Sequence, residues 1–181
     1  MNKNLNDCML TLLRNRRSIR KFKKPAIDND KTDLLIEALL RSPSSRRLNP
    51  WEFIVVDNSE LLQKLSQCKP HGAAFLAEAP LAIVVAADPE KCDVWIEDCS
   101  IASILVQMTA QDLGLGSCWV QIRQRKHENG ESSESYVKRL LKLPDPIRVL
   151  SIIAIGIPDE YPEPHPKESL DMSKIYKNTY S

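Results

Sequence analysis

The chain has 181 residues, 43% of them hydrophobic, which is enough for a substantial core in one domain and short for two. Lys and Arg number 25 against 24 Asp and Glu, a formal charge of +1, so no global basic field gathers nucleic acid or anionic lipid and any anion specificity must be local. The N-terminus MNKNLNDCML lacks a signal-peptide pattern, no apolar run is long enough for a bilayer, and five cysteines without a CxxC pair fit a reducing, cytoplasmic setting; three scattered histidines offer no metal-ligand spacing.

Taken in order, the periodicity predicts a first helix from Leu5 to about Asn15. It runs into Arg16-Arg17-Ser18-Ile19-Arg20-Lys21-Phe22, three arginines, a hydroxyl and a lysine within six residues. Guanidinium forks match phosphate oxygens in pairs and a hydroxyl adds a donor, so the stretch reads as an anion seat. In extended form Arg16, Ser18 and Arg20 point one way, with Ile19 and Phe22 packing beneath. The other reading is a solvated basic edge at the negative end of a helix dipole.

Lys24-Pro25 stops the helix, and Asp28, Asn29 or Asp30 caps a second one reaching Ser42, before Pro43. The hydroxyl-rich loop Ser42–Pro50 leads into a strand, Trp51 to Val56. A short helix follows over 59–67, and Leu81 to Ala87 is an apolar run that predicts a strand covered on both faces. Asp93 to Leu113 is the longest predicted helix, apolar round most of its circumference, the pattern of a helix in a large core or at a homodimer interface. Gly114-Leu115-Gly116 ends it; strands are predicted at 117–122 and 149–155, with a polar loop and a helix over 134–142 between them. Pro158, Pro162, Pro164 and Pro166 predict an extended tail from about residue 157 to 181. Four strands separated by helices make an α+β sandwich in a single domain, 1–181; the order of the strands is not readable.

No nucleophile elbow, P-loop or dinucleotide fingerprint is present, and no carboxylate dyad converges. Cys118 lies in an apolar strand without a base nearby and reads as buried and inert. Anion grips without catalytic side chains suit a protein that holds a phosphorylated cofactor and leaves the chemistry to it.

Several segments together resemble the nitroreductase family of FMN-dependent oxidoreductases. These are Arg16 to Phe22; Ser42-Pro-Ser-Ser45 with Asn49-Pro-Trp51-x-Phe53; Glu78-Ala-Pro80; Trp95-Ile-Glu-Asp98; Leu113 to Trp119; and Ile155-Gly-Ile-Pro158. They occur in the family's order over nearly the whole chain. The resemblance implies a central, mainly antiparallel sheet flanked by helices, and a C-terminal tail extending over the partner subunit. It implies a homodimer with FMN sites at its interface. Arg16, Arg17, Ser18 and Arg20 would hold the FMN phosphate and ribityl chain, joined by His165 and Lys167. Pro43, Ser44, Ser45 and Arg47 of the partner chain would line the flavin ring, with Gly116 and Ser117 on its other side. The implied reaction is ping-pong hydride transfer from NADH or NADPH through flavin N5 to a flat small-molecule acceptor, a nitroaromatic or quinone, with no metal, membrane or nucleic acid.

Two departures stand out: Arg47 and Asn49 occupy positions where the family usually has Asn and Gln. Arg47 either stabilises a reduced anionic flavin or selects an acidic substrate. The alternative reading is a flavin-binding carrier or sensor with little turnover. A nucleic-acid module built on Arg16 to Lys24 fits poorly with near-zero charge and 6% aromatic residues.

Overall fold

Alternation along two central strands sets the architecture. The computed structural model describes residues 8–180; Leu5 to Asp7 of the predicted first helix lie outside them. In β2 (Leu81–Ala87) every residue is buried. Ala82, Val84 and Ala86 pack into one core, while Leu81, Ile83, Val85 and Ala87 pack into a second on the opposite face. With β1 (Trp51–Val56), β3 (Gly116–Gln121) and β4 (Arg148–Gly156) it forms an antiparallel sheet in the order β1-β2-β4-β3. Helices α2 (Asn29–Leu40) and α4 (Trp95–Asp112) cover one face, and α3 (Ser59–Leu65) and α5 (Ser133–Leu141) the other. Helix α1 (Cys8–Asn15) lies against α4. The fold is the predicted α+β sandwich, and the strand order is what the structure adds.

β4 carries a bulge. Val85 pairs with Ser151 and Ala86 with Val149, leaving Leu150 as the extra residue. The extra residue lets Leu150 and Ser151 both face α4: Leu150 joins the core on that side and the Ser151 hydroxyl meets the Ser103 hydroxyl at 3.2 Å. The long helix is thus buried along Trp95, Cys99, Ala102, Val106 and Ala110, with Ile101 and Ile104 left exposed.

Element ends differ from expectation by one or two residues. Helix α2 stops at Leu40, with Arg41 as its cap, because the Ser42 N–H turns back to Leu39 O. Helix α4 starts at Trp95 and not at Asp93, whose carboxylate is engaged by Arg46. The loop before β1 contains a 3-10 turn, Ser45–Arg47, and the tail has two more, Lys167–Ser169 and Met172–Lys174.

Two glycines decide where the basic segment sits. Gly116 opens β3, Gly156 closes β4, and the two are paired across the strands. A Cβ on Gly116 would lie 2.8 Å from Ile19, and one on Gly156 would lie 2.7 Å from the Phe22 ring and from Pro80. Ile19 and Phe22 therefore rest directly on bare backbone, as the pattern of the motif predicted. Replacing Gly156 with Ala should lower stability by about 1–3 kcal/mol through overpacking, read as a drop in thermal midpoint. An unchanged midpoint would show that Phe22 yields freely.

Candidate functional site

Helix α1 ends as the Arg16 N–H bonds Leu12 O at 2.8 Å, and the chain then extends. Ser18 forms a parallel bridge to Ser117, and the Ile19 N–H donates to Ser117 O at 3.0 Å. On its other side, the Asp159 N–H donates to Lys21 O and the Lys23 N–H to Ile157 O, both at 2.9 Å. The Glu160 carboxylate accepts the backbone N–H groups of Arg20 and Lys21. The segment is thus held by its backbone on two sides, which leaves its side chains free.

Those side chains converge. Arg16, Arg17, Ser18, Arg20 and His165 line a cavity of 320 Å³ together with Glu160 and Pro162. Three guanidiniums face one carboxylate, and that carboxylate is occupied by backbone amides. None of the three arginines has an ion-pair partner among the described residues. Arg17, which strict alternation in an extended segment would put on the opposite side with Ile19, lines this cavity and also a neighbouring one of 270 Å³ that contains Ile19 and Gly116. Ser117 is buried under the segment. A third cavity, 560 Å³ and largely apolar, adjoins the first: Leu10, Leu13, Arg16, His165, Lys167 and Leu170 are among its walls. The tail thus brings His165 and Lys167 to the same cavity wall as Arg16.

Cys118 lies beneath the seat, buried. Burial pushes its thiol up, while Arg20, a hydrogen bond from Ser18, Arg16 and Lys69 pull the other way. Lys69 reads in the sequence only as part of the Lys69-Pro70-His71-Gly72 break after the short helix, with no sign that it lies near Cys118 of β3. Its ammonium pKa is lowered by burial, with Arg125 adding to the effect, and it carries the positive field on beyond the seat.

The loop residues Pro43, Ser44, Ser45 and Arg47 do not reach these cavities within the chain. The loop is tied instead to the start of α4. The Ser45 N–H donates to buried Asp98 Oδ1 at 2.9 Å, Cys92 Sγ approaches Asp98 Oδ2 at 3.4 Å, and Arg46 pairs with Asp93. Asp98 is the positioning residue that sequence reading noticed only as part of a motif. Its distant partner, Ser45, has no local signature.

An α+β sandwich with a basic seat at one end of its sheet is the class these observations define. The family model described as "Nitroreductase family" matches residues 13–69 and 66–157. A solved FMN-dependent nitroreductase from Clostridium difficile R20291 is 45% identical, with a TM-score of 0.93 over 94% of this chain and 99% of its own. A provisionally named NADH dehydrogenase/NAD(P)H nitroreductase of Parabacteroides distasonis ATCC 8503 is 34% identical, with a TM-score of 0.85 over 95% of this chain and 98% of its own. A relative of the same provisional name from Methanothermobacter thermautotrophicus is 34% identical over 85% of this chain and 79% of its own length. The chain belongs to the nitroreductase family.

Burial raises the thiol pKa to about 11 at Cys68 and about 12 at Cys99, and shifts Cys118 in the same direction. The reactive species is the thiolate, so all three should resist iodoacetamide at pH 8 in the folded protein and label fully in denaturant. Peptide mapping checks this; rapid labelling of Cys118 in the folded chain would mean that the thiol is neither shielded nor inert.

Proposed function

We propose that this chain is an FMN-dependent NAD(P)H oxidoreductase working as a homodimer. The observation that carries the reading is the 320 Å³ cavity where Arg16, Arg17, Ser18 and Arg20 meet His165. Its donor set fits a phosphate dianion: three guanidiniums without an ion pair among the described residues, and a hydroxyl, on a backbone held from both sides. Among the described residues no cluster of His, Cys, Asp or Glu could hold a metal ion.

When bound, FMN supplies two-electron transfer from NADH or NADPH to a flat acceptor such as a nitroaromatic or quinone, in ping-pong order. The chain's own residues hold and shield. Arg16, Arg17, Ser18 and Arg20 bind the phosphate, and His165 and Lys167 close on it from the tail. Gly116 and Ser117 offer backbone beside the ring. Pro43, Ser44, Ser45 and Arg47 line the ring from the partner subunit.

A distance supports the shared site. The loop is tied to Asp98 in the first turn of α4, while Gly116 follows the last turn, so roughly 21 Å of helix axis separates the two within one chain. A second copy brings both to one cofactor. Exposed apolar side chains at Met9, Leu13 and Ile104, and at Met172 and Ile175 in the tail, supply the surface for it. We read the chain as one domain whose tail, from about residue 157 to 181, reaches over the partner after leaving Lys167.

The purified protein should be yellow and bleach anaerobically with NADH or NADPH. A flavin band that persists with both donors would favour a carrier or sensor. Arg16→Ala and Arg20→Ala should each weaken FMN roughly tenfold or more, since a charge-assisted contact is worth about 1.5–3 kcal/mol. Flavin fluorescence reads the affinity and circular dichroism the fold. Stoichiometric FMN in the double variant would displace the phosphate from this seat.

A further inference from the structure

The loop between α2 and β1 holds three non-glycine residues in the left-handed region: Arg46 at φ 53°, Arg47 at φ 56° and Asn49 at φ 46°. That region is disfavoured for side chains with a Cβ; glycine adopts it freely and asparagine tolerates it. Two of the three are compensated within the chain. Arg46 pairs with Asp93. Asn49 donates its N–H to Ser44 Oγ at 2.9 Å, and the Ser44 hydroxyl donates to Asn49 Oδ1 at 2.7 Å.

Arg47 is different. Its N–H donates to Ser44 O at 3.1 Å, but its exposed guanidinium has no hydrogen-bond or carboxylate partner among the described residues. The backbone there would be held at less cost by glycine or asparagine, so the fold gives no reason for arginine. The neighbouring ties, Ser45 to Asp98 and Arg46 to Asp93, fix the loop and leave Arg47 the unpaired charge at its tip.

We infer that Arg47 is a specificity residue that binds an acidic acceptor, an aromatic compound carrying a carboxylate or sulfonate. The inference rests on the reading above that this loop lines the ring site. The FMN phosphate has its own cations in Arg16, Arg17 and Arg20, in cavities that the loop does not enter. In NADH and NADPH the negative charges lie beyond a ribose from the reacting ring, whereas a loop lining the ring meets substituents on the acceptor's own ring.

Benzoate and benzamide are close in shape, neither is readily reduced, and their calorimetric affinities for the FMN-loaded protein isolate the charge. Benzoate should bind about tenfold tighter, the scale of one charge-assisted contact. Arg47→Asn, which suits the left-handed backbone, should bring the ratio near one without lowering the thermal midpoint. The ratio of kcat/KM for 4-nitrobenzoate over 4-nitrobenzamide should fall by a similar factor. Equal binding of the two probes by the unaltered protein, or a preference that survives Arg47→Asn, overturns the assignment. So does an Arg47→Asn effect confined to the NADPH-over-NADH ratio. A protein that keeps FMN yet oxidises neither donor with either nitro compound overturns the functional reading itself, a separate result.

Discussion

The bare-backbone contact at Gly116 and Gly156 is the constraint on which the rest of the site depends. These residues face each other in the β3–β4 register, and the chain lays Ile19 and Phe22 on them. A side chain at either position would lift the basic segment from the end of the sheet. Fixing that segment is costly in another respect, because it gathers three guanidiniums around one cavity. Like charges so close would push a free loop apart. Backbone hydrogen bonds to Ser117, Ile157 and Asp159, with the Glu160 carboxylate on the Arg20 and Lys21 amides, hold the segment against that repulsion. The bonds use main-chain atoms, so the guanidiniums stay available to an anion.

The same economy governs the buried groups near the seat. Cys118 sits beneath the arginines, yet burial outweighs their pull and shifts its thiol pKa upward. Lys69, part-buried and repelled by the Arg125 charge, adds a cation without a carboxylate partner among the described residues. The field at this end of the sheet is built from cations that form no ion pair among the described residues.

Much of this was legible in the sequence because the signals were local. The unbroken apolar run of β2 could only be a strand covered twice, and alternation set Arg16, Ser18 and Arg20 above Ile19, although Arg17, placed below by the same alternation, joins them around the cavity. What escaped depended on contacts distant along the chain. Glu160 meets Arg20 across 140 positions and Asp98 meets Ser45 across 53, and neither pairing has a spacing to betray it. Strand order escaped for the same reason. The bulge at Leu150 was hidden by uniform composition: where every residue is apolar, alternation cannot show which one is extra. Left-handed backbone at Arg46 and Arg47 was invisible because arginine carries no turn signature, unlike the glycine or asparagine that such a position invites.

Helix α4 links these features into one argument about assembly. Its first turn and the residues before it anchor the Ser44–Asn49 loop through Asp98 and Asp93. At its far end Leu113 O accepts the Lys31 ammonium at 3.1 Å and the chain turns into Gly116. The loop and the strand beside the seat are thus joined to one helix, but at opposite ends of it. A fold that only needed stability would have no use for a strained loop at one end and an unneutralised seat at the other. Antiparallel apposition of two such helices would set the loop of one chain beside the seat of its partner. On that account the broad apolar character of α4 is a consequence of its position: it packs on its own sheet through Cys99, Ala102 and Val106, and leaves Ile101 and Ile104 exposed, where a second subunit would cover them.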